Sequence, residues 1–108
     1  KRIPEVRIPN NPKGIADLYD VSDDWIPIYD RSDLNGFYLA IGTSGNQYKN
    51  GPAIGRLMAE LIQAAENGHD HDADPLQLRL HHVDVTLNLG IFSRNREIIQ
   101  GSSFSVLG

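Results

Sequence analysis

The chain is 108 residues long, 40% hydrophobic and acidic, with a formal net charge of −4 and a pI near 5.4. Its lysines and arginines are scattered, which excludes a broad basic surface, so we expect no nucleic acid partner. No apolar stretch approaches the roughly 18 residues of a membrane span and no secretory signal pattern occurs, so we expect a soluble, cytoplasmic protein without a membrane partner. The absence of cysteine excludes disulfide bonds and thiol chemistry.

The first third of the chain predicts an irregular start followed by short strands. Residues 1–13 are polar and rich in proline, which indicates a boundary segment with a strand remnant around residues 6–8. Residues 15–21 and 26–29 are typical of short strands. Asn35-Gly36 then predicts a tight turn into the next strand, so that residues 14–35 would form a strand pair.

A strand, a glycine-bearing turn and a long helix are predicted within residues 36–68. Apolar residues alternate over residues 37–41, which indicates a strand. Gly42 and Gly45 then allow a sharp turn and a close approach of the backbone to another group. A strand that feeds a helix in this way presents backbone N–H groups and a positive dipole end to an anion or an electron-rich ring.

The helix is predicted over residues 52–67, because apolar residues recur there at helical spacing. Asn50 is a candidate N-cap, Pro52 suits the first turn, and Gly68 is a candidate C-terminal stop. Strand, glycine turn and helix recur throughout α/β proteins for reasons of chain geometry, so this pattern alone does not assign a function.

Residues 69–108 predict a loop, a hairpin and a tail. Leucines alternate over residues 76–80, and valines and leucines alternate over residues 83–89, which indicates a hairpin that turns near His81-His82 and buries one face. Residues 97–108 are expected to form a tail.

Residues 69–74, His-Asp-His-Asp-Ala-Asp, carry the type of side chains that bind a divalent metal. The aspartates imitate the start of an EF-hand loop, but Pro75 stands where that loop needs glycine and His81 where it needs glutamate. A polar loop after a helix is the ordinary explanation, so we predict no metal site. Replacing His69 and His71 by alanine is then expected to leave activity unchanged.

The sequence of residues 42–62 resembles the C-terminal flavin-binding segment of the FAD-dependent amine oxidoreductases, the superfamily of sarcosine oxidase, glycine oxidase and D-amino acid oxidase. Members carry a strand ending in Ala-x-Gly-x-Ser-Gly, a lysine four residues later in the sarcosine oxidase branch, and then Pro-Ala-x-Gly-x-Leu-x-Ala-Glu-Leu. Each element is present here, in the order Ala40-Ile41-Gly42-Thr43-Ser44-Gly45, Lys49 and Pro52-Ala53-Ile54-Gly55-Arg56-Leu57-Met58-Ala59-Glu60-Leu61.

A second block, residues 14–28, is similar to the Gly-Leu-Tyr-x-x-Thr-Pro-Asp-x-x-Pro-Ile strand pair of that family, with Ser22 in place of threonine and Asp23 in place of proline. The two blocks together span roughly residues 14–66. The G-x-G-x-x-G turn that receives the FAD pyrophosphate in the family does not occur in this sequence. With that motif absent and Lys1 in place of a methionine, we expect the C-terminal segment of a larger oxidoreductase.

This resemblance implies an α+β fragment, in which short antiparallel strands accompany a strand-turn-helix unit that would complete an FAD-binding Rossmann-like domain. Residues 14–35 would be substrate-side strands and residues 36–68 the flavin-contacting strand and helix. The implied cofactor is FAD and the implied partner is the N-terminal FAD-binding portion of the same enzyme. The substrate would be a small amine or amino acid, oxidised by hydride transfer to FAD.

The resemblance also implies roles for individual residues. Lys49 matches the lysine that contacts a substrate carboxylate, although a surface lysine at a helix entrance is the plainer interpretation of that position. Tyr19 and Trp25 are candidate walls of the substrate pocket, although aromatic residues on short strands are more often core. Asn46 stands where many sarcosine oxidases have histidine. No catalytic residue is assigned within this chain, and the predicted flavin contacts are Gly42, Thr43, Ser44, Gly45, Asn46 and Gln47.

The alternative is a small non-enzymatic α+β binding or interaction domain, in which the glycine turn and the helix serve only packing. An upstream G-x-G-x-x-G motif would distinguish the oxidoreductase from this binding domain.

Overall fold

The structure is a computed structural model that describes residue 7 and residues 9–101. It is a small α+β fold with one α-helix and two antiparallel strand pairs, so the predicted class is confirmed at that level. Residues 6 and 8 of the expected strand remnant and residues 102–108 of the expected tail lie outside the described residues. The elements in chain order are β1 (Ile28–Arg31), β2 (Tyr38–Ile41), α1 (Gly51–Glu66), β3 (Gln77–Leu80) and β4 (Val85–Asn88), with 3₁₀ turns at Tyr48–Asn50 and Leu89–Phe92.

Strands β1 and β2 form an antiparallel hairpin closed by the predicted Asn35-Gly36 turn. The register places Ile28 opposite Ile41. Gly36 has a φ of +74°, a conformation that glycine adopts without strain, and the Ser32 amide donates to the Phe37 carbonyl at 2.8 Å. The strand predicted over residues 37–41 is therefore confirmed.

The strand predicted over residues 15–21 is wrong, since residues 12–22 form no regular secondary structure. The strand predicted over residues 26–29 starts later, at Ile28. Pro27 has no amide to donate and the Ile26 amide is used by Asp24 Oδ1 at 3.1 Å, so the β ladder begins after them. The partner of β1 is β2, and residues 15–21 do not pair with β1.

Helix α1 confirms the helix predicted over residues 52–67 within one residue at each end. Pro52 lies in the first turn, but Asn50 makes no side-chain cap because a 3₁₀ turn leads directly into the helix. At the other end Gly68 has a φ of +89° and its amide donates to the Ala65 carbonyl at 2.9 Å, while the His69 amide donates to the Ala64 carbonyl at 3.0 Å. This is a Schellman motif, which confirms Gly68 as the stop.

Strands β3 and β4 form the second predicted hairpin, which turns through residues 81–84. Leu78 pairs with Leu87, and Leu78 is buried, whereas Arg79 and Thr86, which pair on the opposite face, are both exposed. One leucine face of the hairpin therefore covers the core and the other face is open to solvent.

The core is small. Tyr29, Leu57, Leu78 and Leu89 form its buried cluster, and Leu61 is buried on the same helix as Leu57. Many other large apolar side chains of the described residues are exposed, among them Ile15, Leu18, Leu34, Phe37, Tyr48 and Val83. In the described part of the chain, no helix has the length and apolar character needed to cross a membrane.

Candidate functional site

The turn between β2 and α1, residues 42–45, has a left-handed backbone at three of its four positions. Gly42, Ser44 and Gly45 have φ values of 68°, 51° and 75°. A side-chain-bearing residue rarely adopts this conformation, yet Ser44 does so while fully buried, with its Oγ donating to the Gly42 carbonyl at 3.2 Å. Contacts from elsewhere in the chain therefore hold turn 42–45 in place.

The carboxylate of Asp20 supplies the main contact to this turn. Its Oδ2 accepts from the Gly42 and Thr43 amides, the latter at 3.2 Å, and its Oδ1 accepts from Thr43 Oγ1 at 2.8 Å. The Ser44 amide donates to the Asp20 carbonyl at 2.9 Å. The hydrogen bond from the Thr43 side chain, followed by that from its amide, lowers the pKa of Asp20 below its ordinary value. Asp20 is thus an anion at neutral pH.

The glycines of the turn permit the close approach that the sequence predicts, but the approaching groups belong to residues 19–22. A Cβ at Gly45 would lie 2.9 Å from Cζ of Tyr19, and a Cβ at Gly42 would lie 3.2 Å from Cβ of Ser22. The half-exposed ring of Tyr19 therefore packs on Gly45. Because Asp20 and Tyr19 both contact turn 42–45, the structure brings the predicted substrate-side residue Tyr19 to the predicted flavin-contacting turn.

A cleft of about 410 Å³, which we call the turn cleft, opens beside this turn at the entrance to α1. Thr43, Gly45 and Gln47 of the predicted flavin contacts line it. Gly42 and Ser44 are buried beneath them. The volume lies within the range of ligand-binding pockets, and the cleft combines aromatic rings with a hydroxyl and an amide. The remaining lining residues are Tyr29, Ala40, Tyr48 and Ile54.

A second cleft of about 470 Å³, the apolar cleft, contains Trp25. No charged side chain lines it. Its walls come from residues 25–29, from α1 and from the β3–β4 hairpin, through Trp25, Ile26, Pro27, Tyr29, Gln47, Asn50, Ala53, Ile54, Leu57, Leu78, Leu80, Leu87, Ile91 and Phe92. Tyr29 and Gln47 belong to both clefts, and the Tyr29 hydroxyl donates to Gln47 Oε1 at 3.4 Å. Burial, and then the charge of Asp20, raise the pKa of Tyr29, so this hydroxyl stays protonated.

The structure places the other predicted site residues as follows. Trp25 lines the apolar cleft, whereas Tyr19 lines neither cleft and contacts the turn only through Gly45. Lys49 is exposed on the 3₁₀ turn before α1 and lines neither cleft. Asn46 accepts from Gln47 Nε2 at 2.6 Å, which fixes the amide group of Gln47 at the edge of the turn cleft.

The sequence interpretation missed a buried ion pair between Asp24 and Arg96. Arg96 donates through Nη2 to Oδ1 at 2.6 Å and through Nε to Oδ2 at 3.1 Å. Burial works to raise the pKa of Asp24, but the hydrogen bonds from Arg96 and from the Ile26 amide outweigh it and hold that pKa far below its usual range. The sequence signal for this site was an aspartate, Asp24, next to Trp25 and close to Pro27. Its partner Arg96 lies 72 residues later, and no local sequence pattern connects the two.

A second missed cluster surrounds Asp30, which is completely buried. Its Oδ2 accepts from Ser93 Oγ at 3.0 Å, from the Arg94 amide at 2.8 Å and from Arg94 Nη1 at 3.3 Å. Arg94 also binds Asp72 and Asp33, and Asp72 in turn binds Arg31 at 2.6 Å. These pairs tie residues 93–96 to β1 and to the loop after α1, so they position these elements relative to one another.

Most polar side chains of residues 69–74 make contacts that stabilise the loop, whereas the buried His71 Nε2 has no hydrogen-bond partner among the described residues. Asp70 and Asp72 bind Arg31, and His69 Nε2 lies 2.8 Å from the Asp74 carbonyl. His71 is buried and its Nδ1 accepts from the Leu76 amide at 3.1 Å. Among the described residues, no three histidine or acidic side chains are grouped as a metal site would need. The structure therefore gives these side chains a structural role.

Comparison with known proteins yields no relative: no family model matches the chain, and no curated protein or solved structure matches it significantly. The geometry of the two clefts and of turn 42–45 therefore carries the functional argument.

Proposed function

We propose that this chain is the C-terminal part of a cytoplasmic FAD-dependent oxidoreductase that oxidises an amine or an amino acid. The observation that carries the proposal is the turn cleft. A glycine turn at the end of β2 opens onto a ligand-sized cleft at the entrance of α1, and three residues of the flavin-like motif, Thr43, Gly45 and Gln47, line it. Residues of the motif thus line a cleft of ligand size, as a flavin-contacting segment requires.

The residues of the turn cleft fit one side of a flavin ring. FAD supplies the two-electron acceptor when it is bound. Thr43 offers a hydroxyl, Gln47 offers an amide, and Tyr29 and Tyr48 offer aromatic surface for a planar ring. The helix entrance adds the positive end of the α1 dipole, which favours the negative charge that reduction brings.

The substrate would bind on the same side. Lys49 follows Tyr48, a lining residue of the turn cleft, and its ammonium group would attract the carboxylate of an amino acid. Tyr19 covers Gly45 and would limit access to the turn from that side. Trp25 would act through the adjoining apolar cleft, by way of the shared residues Tyr29 and Gln47.

The exposed apolar surface supports a partner that completes the fold. Only five apolar side chains of the described residues are buried, whereas Ile15 and Leu18 are 95% and 96% exposed. Burying such side chains contributes about 1.5–3 kcal/mol each, so a docking surface is favoured. We propose that the partner is the N-terminal FAD-binding portion of the same enzyme.

Sequencing the coding region upstream of Lys1 tests this proposal. The oxidoreductase requires a strand that ends in a G-x-G-x-x-G turn, followed by a helix. An unrelated upstream domain would contradict it.

A non-enzymatic binding domain is the second candidate, and the apolar cleft favours it. A cleft of about 470 Å³ without a charged lining residue is suited to binding an apolar group without catalysing a reaction on it. The two candidates differ in what fills the turn cleft. Binding of an apolar probe that is unaffected by Thr43→Val, a change in the turn cleft alone, with no flavin bound, would favour the binding domain.

A further inference from the structure

Asp20 is placed unlike any other acidic residue of the described chain. Its carboxylate accepts from the Gly42 amide, the Thr43 amide and the Thr43 hydroxyl, all within turn 42–45. It is itself exposed, so forming these bonds costs it little desolvation. Hydrogen bonds to an ionised acceptor are roughly twice as strong as neutral ones. The conformation of the turn therefore depends on one carboxylate from the preceding segment.

The same contacts change the electrostatics of the turn. The amide N–H groups of Gly42 and Thr43 donate to the Asp20 carboxylate, so they are not free to stabilise negative charge on a ligand. The turn instead carries the negative charge of Asp20 next to the end of β2. A two-electron reduction adds negative charge to a flavin, and a nearby carboxylate opposes that change.

We propose that Asp20 is a positioning residue for the turn cleft and that its charge lowers the reduction potential of the flavin bound there, an inference that rests on the proposed function. Asp20 thus has two separable effects. Its hydrogen bonds hold turn 42–45 in its observed conformation, with Gly42, Ser44 and Gly45 left-handed, and its charge disfavours the reduced flavin. A purely structural residue would have the first effect only.

The chain offers a matched control in Asp23. Asp23 is exposed, lies three residues further along the same segment, and makes none of the hydrogen bonds to turn 42–45. Asp20→Asn and Asp23→Asn remove the same charge and change the side-chain volume equally little. Thr43→Val removes one hydrogen bond to Asp20 and keeps its charge, which separates the two effects.

The first measurement is hydrogen exchange of the turn amides in the full-length protein without flavin. Asp20→Asn is expected to speed exchange of the Gly42 and Thr43 amides roughly tenfold, since their charge-assisted hydrogen bonds become neutral ones. Asp23→Asn should leave these rates unchanged. Equal rates in Asp20→Asn and the wild type would overturn the positioning role.

The second measurement is the midpoint potential of the bound flavin. Asp20→Asn is expected to shift the reduction equilibrium about tenfold towards the reduced form, equivalent to about +30 mV for a two-electron couple. Thr43→Val and Asp23→Asn should each shift it far less. If exchange quickens in Asp20→Asn while its potential equals that of Asp23→Asn, the charge effect is refuted.

Failure of the proposed function is visible before any variant is made. A full-length protein that holds no flavin refutes the oxidoreductase and this inference with it. A protein that holds flavin and shows no effect of Asp20→Asn refutes the inference alone.

Discussion

Single residues decide the shape of the candidate site. Gly45 carries no side chain, has a φ of +75° and supports the ring of Tyr19, while Gly55 lies in the middle of α1 with open space around it. The first glycine is required by the backbone and by a close contact, whereas the second only weakens the helix. The two positions therefore form a matched pair for mutation.

Gly45→Ala is expected to lower the free energy of unfolding by about 1–2 kcal/mol, because alanine is strained in the left-handed region and its Cβ displaces the Tyr19 ring. Gly55→Ala is expected to raise it by roughly 0.5–1 kcal/mol through helix propensity. Urea titrations of both variants measure these changes. If both variants changed the free energy of unfolding in the same direction, the conformation described for turn 42–45 would be contradicted. Adding Tyr19→Ala to Gly45→Ala should recover part of the lost free energy of unfolding.

The sequence interpretation expects alanine at His69 and His71 to leave activity unchanged; their effects on stability should differ, because only His71 is buried. His71→Ala leaves a cavity and an unpaired Leu76 amide, so we expect a loss of about 2 kcal/mol in the free energy of unfolding. His82→Ala, at an exposed turn position, should change it by less than about 0.5 kcal/mol. Thermal unfolding followed by circular dichroism compares the two, and equal midpoints would show that His71 is not packed as described.

Among the elements, the segment just before the predicted tail makes contacts that the sequence does not indicate. Residues 97–101 of the predicted tail have no helix or strand, but Arg96 and the Ile99 amide both bind Asp24, and Arg94 binds Asp30. The arginines therefore hold the end of the described chain against β1 and the residues before it. Breaking a buried pair from one side leaves an uncompensated charge, which is strongly unfavourable.

Arg96→Met is thus expected to lower the free energy of unfolding by roughly 3 kcal/mol, since Asp24 would remain buried without its partner. Arg56→Met, on the exposed face of α1, should leave stability nearly unchanged. Chemical denaturation of the two variants provides the comparison. A loss below about 0.5 kcal/mol in Arg96→Met would mean that the Asp24 pair does not anchor this segment.

The elements set by local patterns could be predicted and those set by distant contacts could not. Helix α1 and the β3–β4 hairpin follow from apolar spacing and from Gly68, so they were predicted within one or two residues. The strand expected over residues 15–21 had the right residue types, but a strand needs a neighbour, and the sequence does not show that β2 pairs with β1 instead. The turn glycines could be identified from the sequence. The hydrogen bonds from the turn to Asp20 could not, because the Gly42 amide and Asp20 are 22 positions apart.

For the whole molecule, acid sensitivity follows from the carboxylates held by hydrogen bonds. The pKa values of Asp20, Asp24 and Asp72 are all lowered from 3.8 in the folded chain. The unfolded chain therefore binds protons first as pH falls, and the stability that these groups contribute above pH 4 is lost progressively below it. The pKa of His71 is lowered from 6.5, chiefly by burial, so a first loss begins below about pH 6.5.

We accordingly expect the free energy of unfolding to decline modestly between pH 7 and pH 5 and steeply below about pH 4. Urea titrations across that range measure it. His71→Leu should remove the first decline and leave the second. A stability that stays constant from pH 7 to pH 3 would contradict the hydrogen-bonded state assigned to these aspartates.

At the same scale, the small core and the exposed apolar side chains of the described residues are the basis of our proposal that this chain docks on a larger partner. Native mass spectrometry of the purified protein tests that central claim most directly, because it weighs the chain of 12.0 kDa together with whatever it holds. We predict a complex that contains FAD and a larger polypeptide portion. The bare chain, free of flavin even when FAD and the upstream portion are supplied, would contradict the oxidoreductase account.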